Sequence, residues 1–386
     1  MKIFIIPSWY PNRRNAGQGS FIREQAVALH KMGHEVIVLS VQMRRADTLF
    51  QKQETYTTET EGVIAHYQEK AFFYPGKLFS INQLLFTESL QKLFAQALAL
   101  HGRPDVLYAH FSYPAGFAAA QLSMEYQLPL VVEEHFSYYN RKVIPRSLKK
   151  ILSDTVKRAD SFLVVSKGLQ AAVERHVPGS SQKSRVISNM IDPCFVYCDK
   201  KKHEDFRFFS MGRFIPRKGF LELIEAFAAA HGNNAKVKLY IAGSGPQEPQ
   251  IQALIRKKNL DKQVFLIGQL TREETLQAYI DCDCFVLASK GETFGLVYRE
   301  ALAVGRPVIS TRHQGFFTGD WDESFGYLVD VGDLAQLEWA LQKVCEQPDL
   351  RGRERSKKCL CTCSAETVMK SIEKILQSAS EKGTGK

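Results

Sequence analysis

Along the chain, short apolar runs alternate with longer stretches whose apolar positions recur at helical spacing. KIFIIP is the first run. The segment from about Gly19 to Met32 follows it, with Phe21, Ile22, Ala26, Leu29 and Met32 on one helical face. Gly33 ends that helix, and EVIVLSV reads as the next strand. DVLYAH, LPLVVEE and SFLVVS repeat the strand role, with helical stretches between them. Strands that are apolar almost throughout, rather than at alternate positions, belong to a parallel sheet covered on both faces. The alternation breaks at residues 192–205, DPCFVYCDKKKHED, which are polar and carry no period. It restarts with FRFFSMGR, VKLYIAG, QVFLIG, CFVLAS and RPVIST. The pattern predicts an α/β protein with two doubly wound, Rossmann-like lobes facing across a cleft. The expected lobes are residues 1–190 and 191–362. In the remaining 363–386, a helix from about Ala365 to Ser378 is expected to pack back on the first lobe, and residues 379–386 to fray.

Composition narrows the class without naming a chemistry. Hydrophobic residues make up 45% and charged residues 24% of the 386 positions, a globular balance. No segment approaches the roughly 20 uninterrupted apolar residues that span a bilayer. The first apolar run is short and broken by Pro7, so it reads as a buried strand rather than a signal peptide, and a cytoplasmic location is expected. The eight cysteines show C-x-C spacings rather than paired C-x-x-C knuckles and are expected to be reduced thiols. Of the net charge of +10, residues 1–190 hold +8 and residues 191–386 hold +2. An acidic partner would therefore meet the first half. No nucleic-acid recognition motif accompanies this charge, which leaves an anionic membrane surface or a phosphate-bearing acceptor.

The densest chemistry lies in KGETFGLVYREALAVGRPVIST. Thr293 is the expected N-cap of a helix opened by Phe294, Gly295 and Leu296, whose unpaired backbone N–H groups suit a diphosphate. Val297, Ala301 and Val304 repeat at helical spacing and are expected in the core. Glu300, about two turns in, leans back toward the helix start, where a carboxylate suits paired ribose hydroxyls. In SMGRFIPRKGFLELIEAF, Arg213 and Lys218 sit on the loop entering a helix and can neutralise a leaving diphosphate. IAGSGPQEPQI is a glycine-rich turn shaped by Gly243, Gly245 and Pro246; either a nucleotide contact or a purely structural turn accounts for it.

These segments resemble the family 4 glycosyltransferases in order and spacing across almost the whole chain. The family signature has two glutamates separated by seven residues, here Glu292 and Glu300, then A-x-x-x-G-x-P-V-I, here Ala301 to Ile309. The resemblance implies a GT-B fold and transfer of a sugar from a nucleoside diphosphate sugar, with retention, to a hydroxyl of a glycan or lipid-linked acceptor. The transferred group would be a hexosyl or N-acetylhexosaminyl unit, and UDP-sugars are expected ahead of GDP-sugars. It implies that Arg213, Lys218, Glu292 and the cleft histidine of EEHFSYYN, His135, serve catalysis. It further places Gly17, Gly19, Gly243, Gly268, Leu270, Phe294, Gly295, Leu296 and Glu300 at the donor. No cofactor and no divalent metal are implied; the D-C-D at Asp281–Asp283 is expected to cap a helix-to-strand junction. Departures from the pattern are Met190 in the hinge, and Gln314, Phe316 and Phe317 in a loop that often approaches the donor sugar. A sugar-nucleotide epimerase of the same fold and a non-catalytic partner protein are the competing readings.

The acceptor side rests on two further segments. RKVIPRSLKKILSDTVKR, residues 141–158, has seven basic residues and one acid interleaved with apolar ones. FFYPGKLF, residues 72–79, is an aromatic loop. Together they suggest an anionic membrane surface and a peripheral position at its inner face; a solvated basic helix over a buried face accounts for the same residues.

Overall fold

A computed structural model describes residues 1–13, 17–45, 55–73, 78–313, 321–346 and 351–384. The atypical loop from Gln314 to Phe317 and the tip of the aromatic loop, residues 74–77, lie outside the described residues. The chain forms two compact units, one of residues 1–190 with 365–386 and one of residues 191–364.

Unit 1 holds an eight-stranded sheet. Its strands are β1 (Lys2–Pro7), β2 (Glu35–Arg45), β3 (Thr55–Thr60), β4 (Val63–Phe73), β5 (Val106–His110), β6 (Leu130–Glu134), β7 (Ser161–Val164) and β8 (Ser184–Val186). Their order is β3-β4-β2-β1-β5-β6-β7-β8, parallel except where β3 pairs antiparallel with β4. The β3–β4 hairpin was not anticipated from the apolar pattern. It turns through Glu61 (φ 50) and Gly62 (φ 79), and two consecutive positive φ values match the twist of a two-residue hairpin. Its threonine-rich strand is half exposed, so it carries no buried run to betray it.

Helices α1 (Ser20–Lys31), α2 (Phe79–His101), α3 (Phe117–Glu125), α4 (Arg146–Arg158) and α5 (Lys167–His176) connect the strands. The C-terminal helix also belongs to this unit and runs from Ala365 to Thr384, so the expected fraying from 379 is corrected. Its Val368, Met369, Ile372, Ile375, Leu376 and Ala379 share one apolar cluster with Ile3, Ile5, Ile22 and Leu29, which holds the last turns in place.

Unit 2 contains six parallel strands: β9 (Phe206–Met211), β10 (Val237–Ala242), β11 (Val264–Leu266), β12 (Cys284–Leu287), β13 (Val308–Thr311) and β14 (Gly326–Val329). Their order, β11-β10-β9-β12-β13-β14, reverses direction between β9 and β12. Ligands of open α/β sheets sit beyond the strand ends at such a switch point. The flanking helices are α6 (Phe220–His231), α7 (Glu248–Lys257), α8 (Arg272–Asp281), α9 (Leu296–Ala303), α10 (Leu334–Glu346) and α11 (Gly352–Cys363). Helix α8 starts with a reciprocal capping box between Thr271 and Glu274.

The segment 192–205 forms no regular element, and buried side chains pin it. Arg306, 3% exposed, donates to the carbonyls of Tyr279 (3.0 Å), Ile280 (3.0 Å) and Cys198 (3.1 Å). The D-C-D carboxylates do not cap α8, contrary to expectation. Asp283 accepts from the backbone N–H of Arg207 at 2.7 Å and pairs with Lys200, while Asp281 pairs with Lys201 at 2.8 Å. Both carboxylates therefore tie the linker lysines and the start of β9. Arg306→Ala would leave several buried carbonyls without a donor and should destabilise unit 2 by about 3 kcal/mol. Urea denaturation followed by tryptophan fluorescence checks this, and Arg306→Lys should recover only part of the loss, since one ammonium cannot span the carbonyls that the guanidinium fork reaches.

Candidate active site

At the carboxyl end of the unit 2 sheet, loops after β9, β10 and β12 converge. The loop after β9 runs through Gly212 and Arg213 to a single 3-10 turn, Pro216–Lys218. Gly219 (φ 70) then caps α6, and a Cβ there would lie 2.0 Å from the Ala288 carbonyl at the end of β12. The loop after β10 nests against the first: Phe214 N–H donates to Ser244 O at 2.8 Å, and Gln247 N–H to Phe214 O at 3.1 Å. A Cβ on Gly243 (φ 134) would strike the Gly212 carbonyl at 2.0 Å. The glycine-rich turn is thus required by close backbone approach, and it also borders a cavity. That cavity, about 470 Å³, is lined by Gly212, Arg213, Gly243, Ser244, Gly245, Gln269 and Leu270. Arg213 is exposed there, and no carboxylate pairs with it among the described residues. Gly268 does not line the cavity; its carbonyl accepts from Gly243 N–H at 2.7 Å and holds the turn.

Beside this cavity, two nominated residues meet. Lys218 Nζ lies 2.7 Å from Glu292 Oε1, with the side chains 14% and 11% exposed. Ser289 donates to the same oxygen at 2.6 Å. Burial pushes the Glu292 carboxyl up, but Lys218 and Ser289 outweigh it and hold the group below the ordinary carboxylate range. Arg217 anchors the loop by donating to Gly291 O at 2.7 Å, and Lys290 N–H returns a bond to Arg217 O at 2.7 Å. His313, after β13, is buried near the pair; desolvation takes it down to about 4 despite the Glu292 charge. Ser289, Arg217 and His313 were not identified from sequence, since single polar residues near strand ends carry no period or motif.

Helix α9 begins at Leu296, two residues later than expected, and its cap is Gly295 in the left-handed conformation (φ 78). Thr293 is therefore not the cap; the chain needs a positive φ at that corner, which glycine adopts and threonine does not. Phe294 is buried under the Arg299 guanidinium, 4.2 Å from its ring centre. Ala301 and Val304 lie in the core as expected, whereas Val297 is only partly buried. Glu300 stands little more than one turn in. Tyr279 donates to its Oε2 at 3.1 Å and Arg272 approaches its Oε1 at 3.6 Å, two partners that sequence did not disclose.

Gly17, Gly19 and His135 belong to unit 1. Gly17 is exposed; Gly19 (φ 74) caps α1 where a Cβ would lie 2.4 Å from the Trp9 carbonyl. His135 follows β6 and is buried between the rings of Phe21 and Phe111. Desolvation takes it down to about 3. Its Nε2 lies 3.3 Å from His110 Nδ1, and Glu133 lies beside both. Glu134 accepts from Ser112, His135 and Phe136 backbone N–H groups at 2.7–2.8 Å and serves the loop geometry.

No described helix is long and apolar enough to cross a membrane. Residues 16–194 match the family model "Glycosyltransferase Family 4", and residues 199–358 match "Glycosyl transferases group 1". The glycogen synthase of Mycobacterium tuberculosis is 26% identical over 361 residues, covering 90% of this chain and 87% of that protein. Among solved structures, sucrose-phosphate synthase from Thermosynechococcus elongatus superposes with a TM-score of 0.79 at 19% identity, covering 98% of this chain and 99% of that one. Anabaena HepE, solved with UDP and glucose, gives 0.74 at 18% identity, covering 98% of this chain and all of that one. With its two Rossmann-like units and a motif-bearing loop array in the second, the chain belongs to the family 4 glycosyltransferases of GT-B fold.

Proposed function

We propose that the protein moves a hexosyl or N-acetylhexosaminyl group from a nucleoside diphosphate sugar, a UDP-sugar ahead of a GDP-sugar, to a hydroxyl of a glycan or lipid-linked acceptor. The observation that carries this reading is the Lys218–Glu292 pair set beside the Arg213-lined cavity. A cavity of about 470 Å³ is within the range that small-molecule ligands occupy. HepE, with its UDP and glucose, supports the donor class by likeness of fold.

In this reading the diphosphate lies between Arg213, Lys218 and the start of α9, where backbone N–H groups and two cations favour its charge. Lys218 is held in place beforehand by Glu292, so little reorganisation accompanies donor binding. Glu292 keeps its free oxygen for sugar hydroxyls, and Glu300, steadied by Tyr279, takes the ribose. The bond from the anomeric carbon to the diphosphate breaks as the acceptor oxygen bonds the same face, retaining configuration. The acceptor's proton passes to the departing phosphate oxygen. Lys218, held by Glu292, and Arg213, lining the cavity, supply the charge that the leaving group needs, and the transfer step is metal-independent.

The acceptor reading rests on unit 1. Ile81 and Leu84 are 45% and 60% exposed on α2, and Val143 is 82% exposed ahead of the basic helix α4. Phe79 of α2 packs edge-on against Tyr138, and Arg141 lies 4.0 Å over that same ring, so apolar and basic residues share one region. Such a surface suits anionic lipid, each basic side chain near it contributing about 1 kcal/mol, and supports a peripheral position at the inner membrane face.

Lys218→Ala and Glu292→Gln should each lower turnover about a hundredfold or more. Lys218→Ala should also lose about 3 kcal/mol of stability, because it leaves a buried carboxylate unpaired. The double change Lys218→Met with Glu292→Gln should regain stability and remain inactive; a double variant with wild-type rates would refute the site. In a thermal-shift panel, UDP-sugars should raise the Tm above ADP- and GDP-sugars, and release of nucleoside diphosphate with acceptor present, rather than an epimer, should follow. Vesicles containing anionic phospholipid should carry the protein in flotation at low salt. Lys142→Glu with Lys149→Glu should abolish this, and absence of wild-type flotation would sink the membrane reading.

A further inference from the structure

Strand β3 is half exposed and threonine-rich, yet it forms one wall of a cavity in unit 1. Its pairing with β4 sets Tyr56 opposite Tyr67, Thr58 opposite Ala65 and Thr60 opposite Val63. Alternate residues of a strand share a face, so these three pairs lie on one face of the hairpin. The Tyr56 and Tyr67 rings stack with centres 4.5 Å apart and 12° between their planes. Ala65 and Val63 are short beside them, and the face is hollow there, with a cavity of about 160 Å³. The loop after β1 forms another wall. Tyr67 donates to Pro11 O at 2.8 Å and Asn12 to Gln42 Oε1 at 2.7 Å, which fixes that loop in place.

The charge around this cavity is one-sided. Arg13 from the loop and Arg23 from α1 both line it, and no acidic residue does. The Arg13 guanidinium lies 4.3 Å from the Tyr56 ring centre, a cation–π contact that steadies it. Burial pushes the Tyr10 and Tyr67 hydroxyls up, and the Arg23 charge opposes the rise at both, so Arg23 stands near the tyrosine wall. Glu61, at the hairpin turn, pairs with Lys31 at 3.0 Å instead. Among the described residues, neither arginine pairs with a carboxylate. Two guanidinium groups on one small cavity attract an oxyanion, and their planar forks match carboxylate or phosphate oxygens. The volume is below the roughly 300–1,000 Å³ of pockets for drug-sized ligands, so a charged group with the ring that bears it fits better than a whole nucleotide sugar.

We propose that this cavity is a subsite for a sugar that carries an oxyanion, a phosphate or a carboxylate, on the acceptor. Arg13 and Arg23 bind the charged group, and Thr58 and Thr60 offer hydroxyls to the sugar ring. The assignment rests on the reading of the protein as a transferase and narrows its acceptor to an anionic one. The donor diphosphate has its own cations in unit 2, so the two sites are tested separately.

Glucose 6-phosphate, glucuronic acid and glucose are titrated into the full-length protein by calorimetry, with excess UDP present to fill the donor cavity. At least one charged sugar should bind about tenfold or more tighter than glucose, and its affinity should fall as salt rises. Which of the two binds tells a phosphate-bearing acceptor from a carboxylate-bearing one. Arg23→Gln, a change on a half-exposed helix face, should remove the preference for charge and leave glucose affinity unchanged. Equal affinity of the wild type for all three sugars, or a preference that survives Arg13→Gln with Arg23→Gln, would overturn the subsite. The wild-type comparison keeps the test decisive should a variant fail to fold. A separate UDP titration shows whether the donor reading stands: loss of that reading appears as absent UDP binding, loss of this one as absent charge preference.

Discussion

A parallel sheet delivers every following loop to the same edge, and this directional constraint organises both units. In unit 2 it gathers the loops after β9, β10 and β12, which are far apart in sequence, at one switch point. The loops then approach one another so closely that Gly219 and Gly243 admit no Cβ without striking a neighbouring carbonyl. The glycines thus serve backbone packing first, and the cavity beside Arg213 is the consequence. In unit 1 the same constraint brings His110 alongside Glu133.

Within that frame, the Lys218–Glu292 pair sets the electrostatics of the unit 2 site. Neither charge would be tolerated alone at such low exposure. Together, with Ser289 on the shared oxygen, they keep the carboxylate ionised against its burial. In the proposed transfer, a donor diphosphate meets a cation already oriented. On that proposal the pairing couples stability to function, because a substitution on one side alters both.

Much of this is legible in the sequence. The strand runs were read because strands buried on both faces are apolar without interruption. The E…E signature was legible because a loop, a helix start and a strand in fixed succession leave a pattern along the chain. What escaped lacked such a pattern. The β3–β4 hairpin has a half-exposed, threonine-rich strand. The cap of α9 moved from Thr293 to Gly295 because a backbone corner, rather than a side-chain hydrogen bond, decides it. Asp281 and Asp283 bind linker lysines and a strand start that their position at the end of a helix does not suggest.

Local sequence alone determined the two α/β lobes, the linker between them and the family signature, because periodicity and motif spacing are properties of neighbouring residues. Tertiary structure decided the partnerships: Lys218 with Glu292, Tyr279 and Arg272 with Glu300, Arg306 with the linker carbonyls, and His110 with Glu133 and His135. Each joins residues from different strand ends, loops or helices. Their proximity follows from strand order and register, which arise only when the whole sheet assembles.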